Sequence, residues 1–143
     1  MTDGVRILVV CTGNAARSQM AEAFVNEFHS DKFIAESAGL EPGKLNPLVV
    51  KSMSEIGIDI SNNKTKDVFD FIKDGKIFNY VITVCDEASG QRCPIFPGAL
   101  KRIHWSFEDP SSFTGTEEEK LLKIAKVRDA IKIKVEEFIN SIK

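Results

Sequence analysis

Apolar residues in this chain fall into two rhythms: short unbroken runs, and longer stretches where they recur every three or four positions. The first run, Val5-Arg6-Ile7-Leu8-Val9-Val10, is mostly apolar and β-branched, the pattern of a strand buried on both faces of a parallel sheet. Met20, Ala21, Phe24, Val25 and Phe28 then recur at helical spacing, with Ser18 positioned to cap the helix they predict. A second strand is expected over 33–37, followed by Ala38-Gly39 and a polar loop through Glu41-Pro42-Gly43-Lys44. Asn46-Pro47 opens a helix carrying Leu48, Val49, Met53 and Ile56, with Gly57 as its stop. Residues 59–64 read as a turn, and Val68, Phe69, Phe71 and Ile72 predict a short amphipathic helix ended by Gly75. Tyr80-Val81-Ile82-Thr83-Val84 is a third buried strand, and a shorter one is centred on Arg102-Ile103-His104-Trp105. Thr116-Glu117-Glu118-Glu119 is a capping-box pattern before a long stripe of Leu121, Ile124, Val127, Ile131, Val135, Phe138 and Ile142, a docked terminal helix.

Strands alternating with helices predict an α/β fold: a single domain over 1–143 built on a four-stranded parallel sheet with helices on both faces. Ligands of such sheets bind beyond the carboxyl ends of the strands, where the strand order switches. With the order 2-1-3-4, the strands ending at Cys11 and Cys85 are neighbours at that switch. Asp109 lies on the exit loop of the last strand, so two thiols and a carboxylate are expected to converge on one cleft.

The first strand runs straight into Cys11-Thr12-Gly13-Asn14-Ala15-Ala16-Arg17-Ser18, a Cys-x5-Arg loop that leads directly into a helix. Such a turn aims backbone N–H groups and the positive helix end at one point, with Gly13 supplying backbone freedom. An oxyanion site results, with Cys11 at its base as a thiolate nucleophile and Arg17 able to clamp a tetrahedral anion through two parallel bonds. Asn14 is expected to hold the loop shape, and Ser18 to donate to Cys11 as well as capping the helix. A bare Cys-x5-Arg match is weak, and a buried structural Cys beside a surface Arg is the plain alternative; the strand–loop–helix context favours the anion site. Asp109 before Pro110 is a candidate general acid, though an Asp-Pro pair alone is an ordinary turn. Cys85 and Cys93 bracket a polar, glycine-containing stretch and read as an attacking and a resolving thiol. Zinc would require a fourth ligand and closer cysteines, and two inert thiols are the other alternative. His104 and Trp105 complete a strand end and are assigned no chemistry.

Composition narrows the setting. The chain has 143 residues, 43% hydrophobic and 28% charged, an ordinary globular balance. A net charge of −2 argues against nucleic acid or an anionic membrane surface as the main partner, so attraction for an anion must be local. No run is long enough for a membrane span or signal peptide, and the protein is expected to be cytoplasmic. In a reducing cytosol the three cysteines are not expected to form structural disulfides, so their reactivity is the first question.

The segment from Val9 to Glu22, with its Cys11-Thr12-Gly13-Asn14-Ala15-Ala16-Arg17-Ser18 core, resembles the loop of the low-molecular-weight tyrosine phosphatase superfamily. Thr83-Val84-Cys85, Cys93-Pro94-Ile95-Phe96-Pro97, His104-Trp105-Ser106-Phe107-Glu108-Asp109-Pro110 and the stretch from Gly115 through Asp129 resemble the thioredoxin-coupled arsenate reductases. This resemblance implies a low-molecular-weight tyrosine phosphatase-like fold and an enzyme in which Cys11 attacks a bound arsenate. The loop N–H groups and Arg17 hold the oxyanion, and Asp109 protonates the leaving oxygen. Cys85 then releases arsenite by attacking Cys11, Cys93 resolves the disulfide, and thioredoxin is the reductant. It implies no bound organic cofactor; a potassium site known in some members would use Asn14, Glu22, Ser37 and Asp67 here, and a monomer is expected. The chain departs from the pattern at Ala15 and Ala16, where polar or Cys residues are common. It also has one more residue between Cys85 and Cys93, and one more between Ser61 and Asp67. A phosphatase of the same fold would use Cys11, Arg17 and Asp109 but neither Cys85 nor Cys93, and a non-catalytic oxyanion-binding or phosphocarrier module would use the loop alone. The number of thiols favours the reductase.

Overall fold

Side chains on a strand alternate between its faces, and in the first strand this alternation sorts the core into two layers. The computed structural model describes residues 4–84 and 99–142. In β1 (Val5–Cys11), Ile7, Val9 and Cys11 enter one apolar cluster while Leu8 and Val10 enter another. The strands β2 (Phe33–Gly39), β3 (Tyr80–Thr83) and β4 (Lys101–His104) complete the sheet. Its order is β2-β1-β3-β4 and every pairing is parallel, as the alternation of elements predicts.

Parallel pairing forces each connection to cross over a face: one helix makes the crossover from the first strand to the second, two make that from the second to the third, and the longest helix follows the last strand. On the Cys11 face lie α1 (Arg17–Phe28), α2 (Pro47–Ser54) and α4 (Glu117–Ile142), which contribute Met20, Phe24, Val49, Met53, Ile124 and Ile131 to the larger cluster. On the other face α3 (Val68–Lys73) packs Val68 and Phe71 against Leu8, Val10 and Val81. Among the described residues no helix is long and apolar enough to cross a membrane.

Local signals end the elements for visible reasons. Gly57, at φ 83°, donates to Ser54 O at 3.0 Å while Ile58 N–H reaches Met53 O at 3.0 Å, the bond pair of a left-handed helix stop. That stop ends α2 at Ser54, so Ile56 of the expected helical stripe falls in the turn and is exposed. Gly75 (φ 70°) ends α3 in the same way, with Lys76 N–H bonded to Phe71 O. At the start of α4, Glu119 N–H donates to Thr116 Oγ1 at 3.2 Å, as the capping pattern predicts. The turn at 59–64 opens with Asp59 Oδ1 accepting Ser61 N–H at 2.8 Å. The Ser61 hydroxyl and N–H hold the Asp59 carboxyl below its ordinary range.

Two boundaries differ from the apolar pattern. The last strand starts one residue early and stops at His104, because Trp105 turns its indole into the core against Phe138 while its backbone N–H still reaches Thr83 O at 2.8 Å. The first two strands persist to Cys11 and Gly39, which are paired partners in the β1–β2 ladder. Arg128, in the middle of α4, is buried and donates to Ser52 O at 2.9 Å, tying α4 to α2.

Ile131 has no exposed surface and sits in the cluster that joins α4 to the sheet. Ile131→Ala is expected to cost about 2–5 kcal/mol. Urea unfolding checks this: the midpoint falls while the slope is unchanged.

Candidate functional site

Where β1 ends, the chain needs partners for its carbonyl groups, and residues 40–46 supply them. Leu40, Glu41, Gly43 and Asn46 donate their N–H groups to Cys11 O, Thr12 O, Gly13 O and Ala15 O at 3.1, 2.8, 3.0 and 3.0 Å. In a trans peptide the N–H points opposite to the C=O. With these carbonyls turned outward, the N–H groups of Thr12, Gly13, Asn14 and Ala16 turn inward, over Cys11. One of them is anchored there: Asn14 N–H meets Cys11 Sγ at 3.1 Å. The start of α1 adds its own free N–H groups, since no side chain caps it and Ala16 stands at the cap position. The result is a concave array of donors around a buried sulfur, the shape an oxyanion requires.

The residue that makes the loop turn is Asn14, at φ 53°, and not Gly13, on which the sequence placed the backbone freedom. Asparagine tolerates this region because its short amide can bond locally. The glycine that the loop does require is Gly39 on β2. A Cβ there would lie 2.8 Å from Thr12 O and 2.9 Å from Asn14 N. Only a bare α-carbon lets β2 pass so close behind the loop.

Ser18 does not cap α1, as expected from sequence; it lies inside the first turn. Its hydroxyl stands 2.8 Å from Cys11 Sγ and accepts from Asn14 Nδ2 at 2.8 Å. The expected contact with Cys11 is present. Gln19, fully buried, holds the other side of Asn14: its Nε2 donates to Asn14 O, Asn14 Oδ1 and Lys64 O at 3.1, 3.2 and 3.1 Å. Asn63 Nδ2 donates to Gln19 Oε1 at 3.1 Å. Neither Gln19 nor Lys66, described below, was singled out from sequence. For Gln19 a signal existed, a polar side chain next to Met20 and Ala21 on a buried helix start; for Lys66 there was none.

Arg17 is only 3% exposed and points at the exit of β4. Its Nη1 donates to Phe107 O at 3.2 Å, and its Nη2 stands 3.7 Å from Asp109 Oδ2. The other oxygen of Asp109 accepts from Ser111 N and Ser111 Oγ at 3.0 and 2.8 Å. Asp109 therefore serves the turn and faces the site together. Cys11, Arg17 and Asp109 are brought to one place. Cys85 and Cys93 lie outside the described residues; Val84, which precedes them, donates to Val10 O at 2.7 Å, beside the start of the loop.

The four residues expected to hold potassium meet differently. Ser37 Oγ donates to Glu22 Oε1 at 3.1 Å, and the same oxygen receives the ammonium of Lys66 at 3.2 Å. Asn14 Oδ1 already accepts from Lys66 N–H at 2.8 Å and from Gln19. Asp67 Oδ1 accepts Phe69 N–H at the start of α3. These oxygens do not fit a potassium ion while Lys66 remains among them.

Comparison with known proteins agrees with this geometry. The chain matches the family described as low molecular weight phosphotyrosine protein phosphatase over residues 6–143. It is 44% identical over 135 residues to an arsenate reductase of Bacillus subtilis (strain 168), covering 92% of this chain and 93% of that protein. A solved structure of an arsenate reductase in the phosphate binding state superposes with a TM-score of 0.77 at 28% identity, covering 97% of this chain and 99% of that one. A thioredoxin-dependent arsenate reductase of Corynebacterium glutamicum superposes with a TM-score of 0.70 at 27% identity, covering 97% of this chain and 62% of that one.

Gly39→Ala is expected to leave the sheet intact and push the loop off its donors. Phosphate binding, followed by calorimetry, should fall at least tenfold, with a stability loss of about 1–3 kcal/mol from overpacking. Unchanged phosphate affinity would show that the close passage of β2 does not shape the loop.

Proposed function

The chain belongs to the low molecular weight phosphotyrosine protein phosphatase family, and from that premise we propose that it is an arsenate reductase, working through a thio-arsenate on Cys11 and a three-thiol relay renewed by thioredoxin. The observation that carries this reading is the sulfur of Cys11 under a ring of inward N–H groups, accepting from Asn14 N–H at 3.1 Å with the Ser18 hydroxyl at 2.8 Å. A sulfur so placed is a nucleophile beneath an anion cradle, and its substrate is a tetrahedral oxyanion.

The steps follow from the chemistry of the groups. Arsenate enters the cradle; the N–H groups and Arg17 take its oxygens. Cys11 sulfur attacks arsenic, the As–O bond to one oxygen breaks, and Asp109 supplies the proton that lets it leave as water. Cys85 sulfur then attacks Cys11 sulfur. The S–As bond breaks with its electron pair going to arsenic, so As(V) becomes As(III), arsenite departs, and a Cys11–Cys85 disulfide remains. Cys93 attacks Cys85 sulfur and frees Cys11. The Cys85–Cys93 disulfide is reduced by thioredoxin, whose dithiol supplies the two electrons consumed. The protein needs no organic cofactor for these steps.

Arsenate rather than a phosphomonoester is favoured by Cys85 and Cys93, which phosphate hydrolysis does not use, and by the arsenate reductase of Bacillus subtilis at 44% identity.

Turnover of arsenate with thioredoxin, thioredoxin reductase and NADPH tests the reading. Cys11→Ser should still bind oxyanions and lose both arsenate reduction and aryl-phosphate hydrolysis. Cys85→Ser should keep any phosphatase activity and lose arsenite release. Cys93→Ser should release one arsenite and stop, with a Cys11–Cys85 disulfide visible by peptide mass mapping after alkylation. Repeated thioredoxin-dependent turnover by either of the latter two variants would replace the relay with the phosphatase reading.

Asp109→Asn should slow the first transfer by roughly 10²–10⁴-fold, with little change in oxyanion affinity. Single-turnover kinetics measure this, and a near-normal rate would leave Asp109 with its turn role alone.

A further inference from the structure

The segment after the 59–64 turn returns to the back of the anion loop, and Lys66 meets it at three points. Its carbonyl accepts Gly39 N–H at 2.8 Å, its N–H donates to Asn14 Oδ1 at 2.8 Å, and its ammonium lies 3.2 Å from Glu22 Oε1. These contacts fix directions farther in. A backbone N–H can only donate, so the Asn14 atom facing it is the oxygen and the Asn14 NH2 faces Ser18 Oγ. Ser18 Oγ accepts there, and toward a Cys11 thiolate, which has no proton to give, its hydroxyl is the donor across the 2.8 Å contact. One main-chain donor thus sets the orientation of the Asn14 amide and places its NH2 on Ser18.

The ammonium end supports the same segment. The Glu22 side chain is only 12% exposed and that of Lys66 34%. Remove the ammonium, and the Glu22 carboxylate keeps only the Ser37 hydroxyl among these contacts, a half-buried anion without its counter-charge. A small cation drawn to the Glu22 and Ser37 oxygens is the simplest replacement.

We propose that Lys66 is a positioning residue for Cys11: a cation tethered to the chain that holds the 63–66 segment, and through it Asn14 and Ser18, in the anion-binding arrangement without help from a soluble monovalent cation. The proposal rests on the oxyanion-binding part of the function given above and is independent of the thiol relay.

Calorimetric titration with inorganic phosphate tests it, in choline chloride and in potassium chloride at equal ionic strength. The wild type should bind equally well in both. Lys66→Met keeps the backbone N–H and loses the charge; in choline its phosphate affinity should fall roughly tenfold, the scale of one hydrogen bond to a charged group, and potassium should restore most of it. Lys66→Arg should behave as the wild type in either salt. Arsenate kinetics should show the same split, with the KM of Lys66→Met falling in potassium while its kcat moves less. A wild type that gains several-fold from potassium overturns the proposal without any variant. So does a Lys66→Met protein that binds normally in choline, or one whose loss potassium does not repair. A wild type that binds no phosphate in either salt overturns the oxyanion reading and this proposal with it. Phosphate binding with failed thioredoxin-dependent turnover overturns the relay alone.

Discussion

The parallel pairing of β1 with β2, carried as far as Cys11 and Gly39, is the constraint on which the site depends. Because the two strands end level, the chain leaving β2 runs beside the chain leaving β1, and residues 40–46 take up the loop's carbonyl oxygens one after another. That leaves the loop only one way to present its N–H groups. The support comes from backbone atoms, which explains how Ala15 and Ala16 can stand in the loop without polar side chains of their own. It also explains why Gly39, a residue outside the motif, is as confined as any residue within it.

A second layer of order comes from polar side chains buried behind the loop. Asn14, Ser18 and Gln19 have no exposed surface, and each is bonded to another of them. In a low-dielectric interior such a network stabilises the fold only when its members are all satisfied, and losing one leaves the others costly. The left-handed backbone at Asn14 is held by this network from both sides: Gln19 on its carbonyl and amide oxygens, Lys66 on its amide oxygen. The strain is thereby placed where it turns an N–H toward the sulfur.

Arg17 performs the corresponding task across the cleft. A guanidinium is charged and planar, so leaving it only 3% exposed requires partners at fixed angles. Phe107 O and Asp109 supply them from the loop beyond β4. One side chain thus joins the loop after β1 to the loop beyond β4, and the contacts that fix the guanidinium also bring the Asp109 carboxylate to it. The chain as a whole carries a net charge of −2, so the positive charge at this place is local.

What the sequence by itself determined is whatever depends on neighbours in the chain. Apolar runs and helical stripes specify the order of strands and helices, Gly57 and Gly75 end two helices, and the Cys11-to-Arg17 spacing after a buried strand marks the strand-to-helix loop that becomes the candidate site. These signals are legible because their physics acts over one to four residues: side-chain alternation, helical periodicity and the left-handed stop. The tertiary structure alone decided that Asn14 rather than Gly13 takes the positive φ, that Ser18 faces sulfur instead of capping α1, and that Gly39, Gln19 and Lys66 belong to the site. A polar side chain announces that it needs a partner and not which one. Here the partners lie across crossovers, Lys66 being 52 residues from Asn14, and only the register of the sheet, through the burial it enforces, brings them within bonding distance.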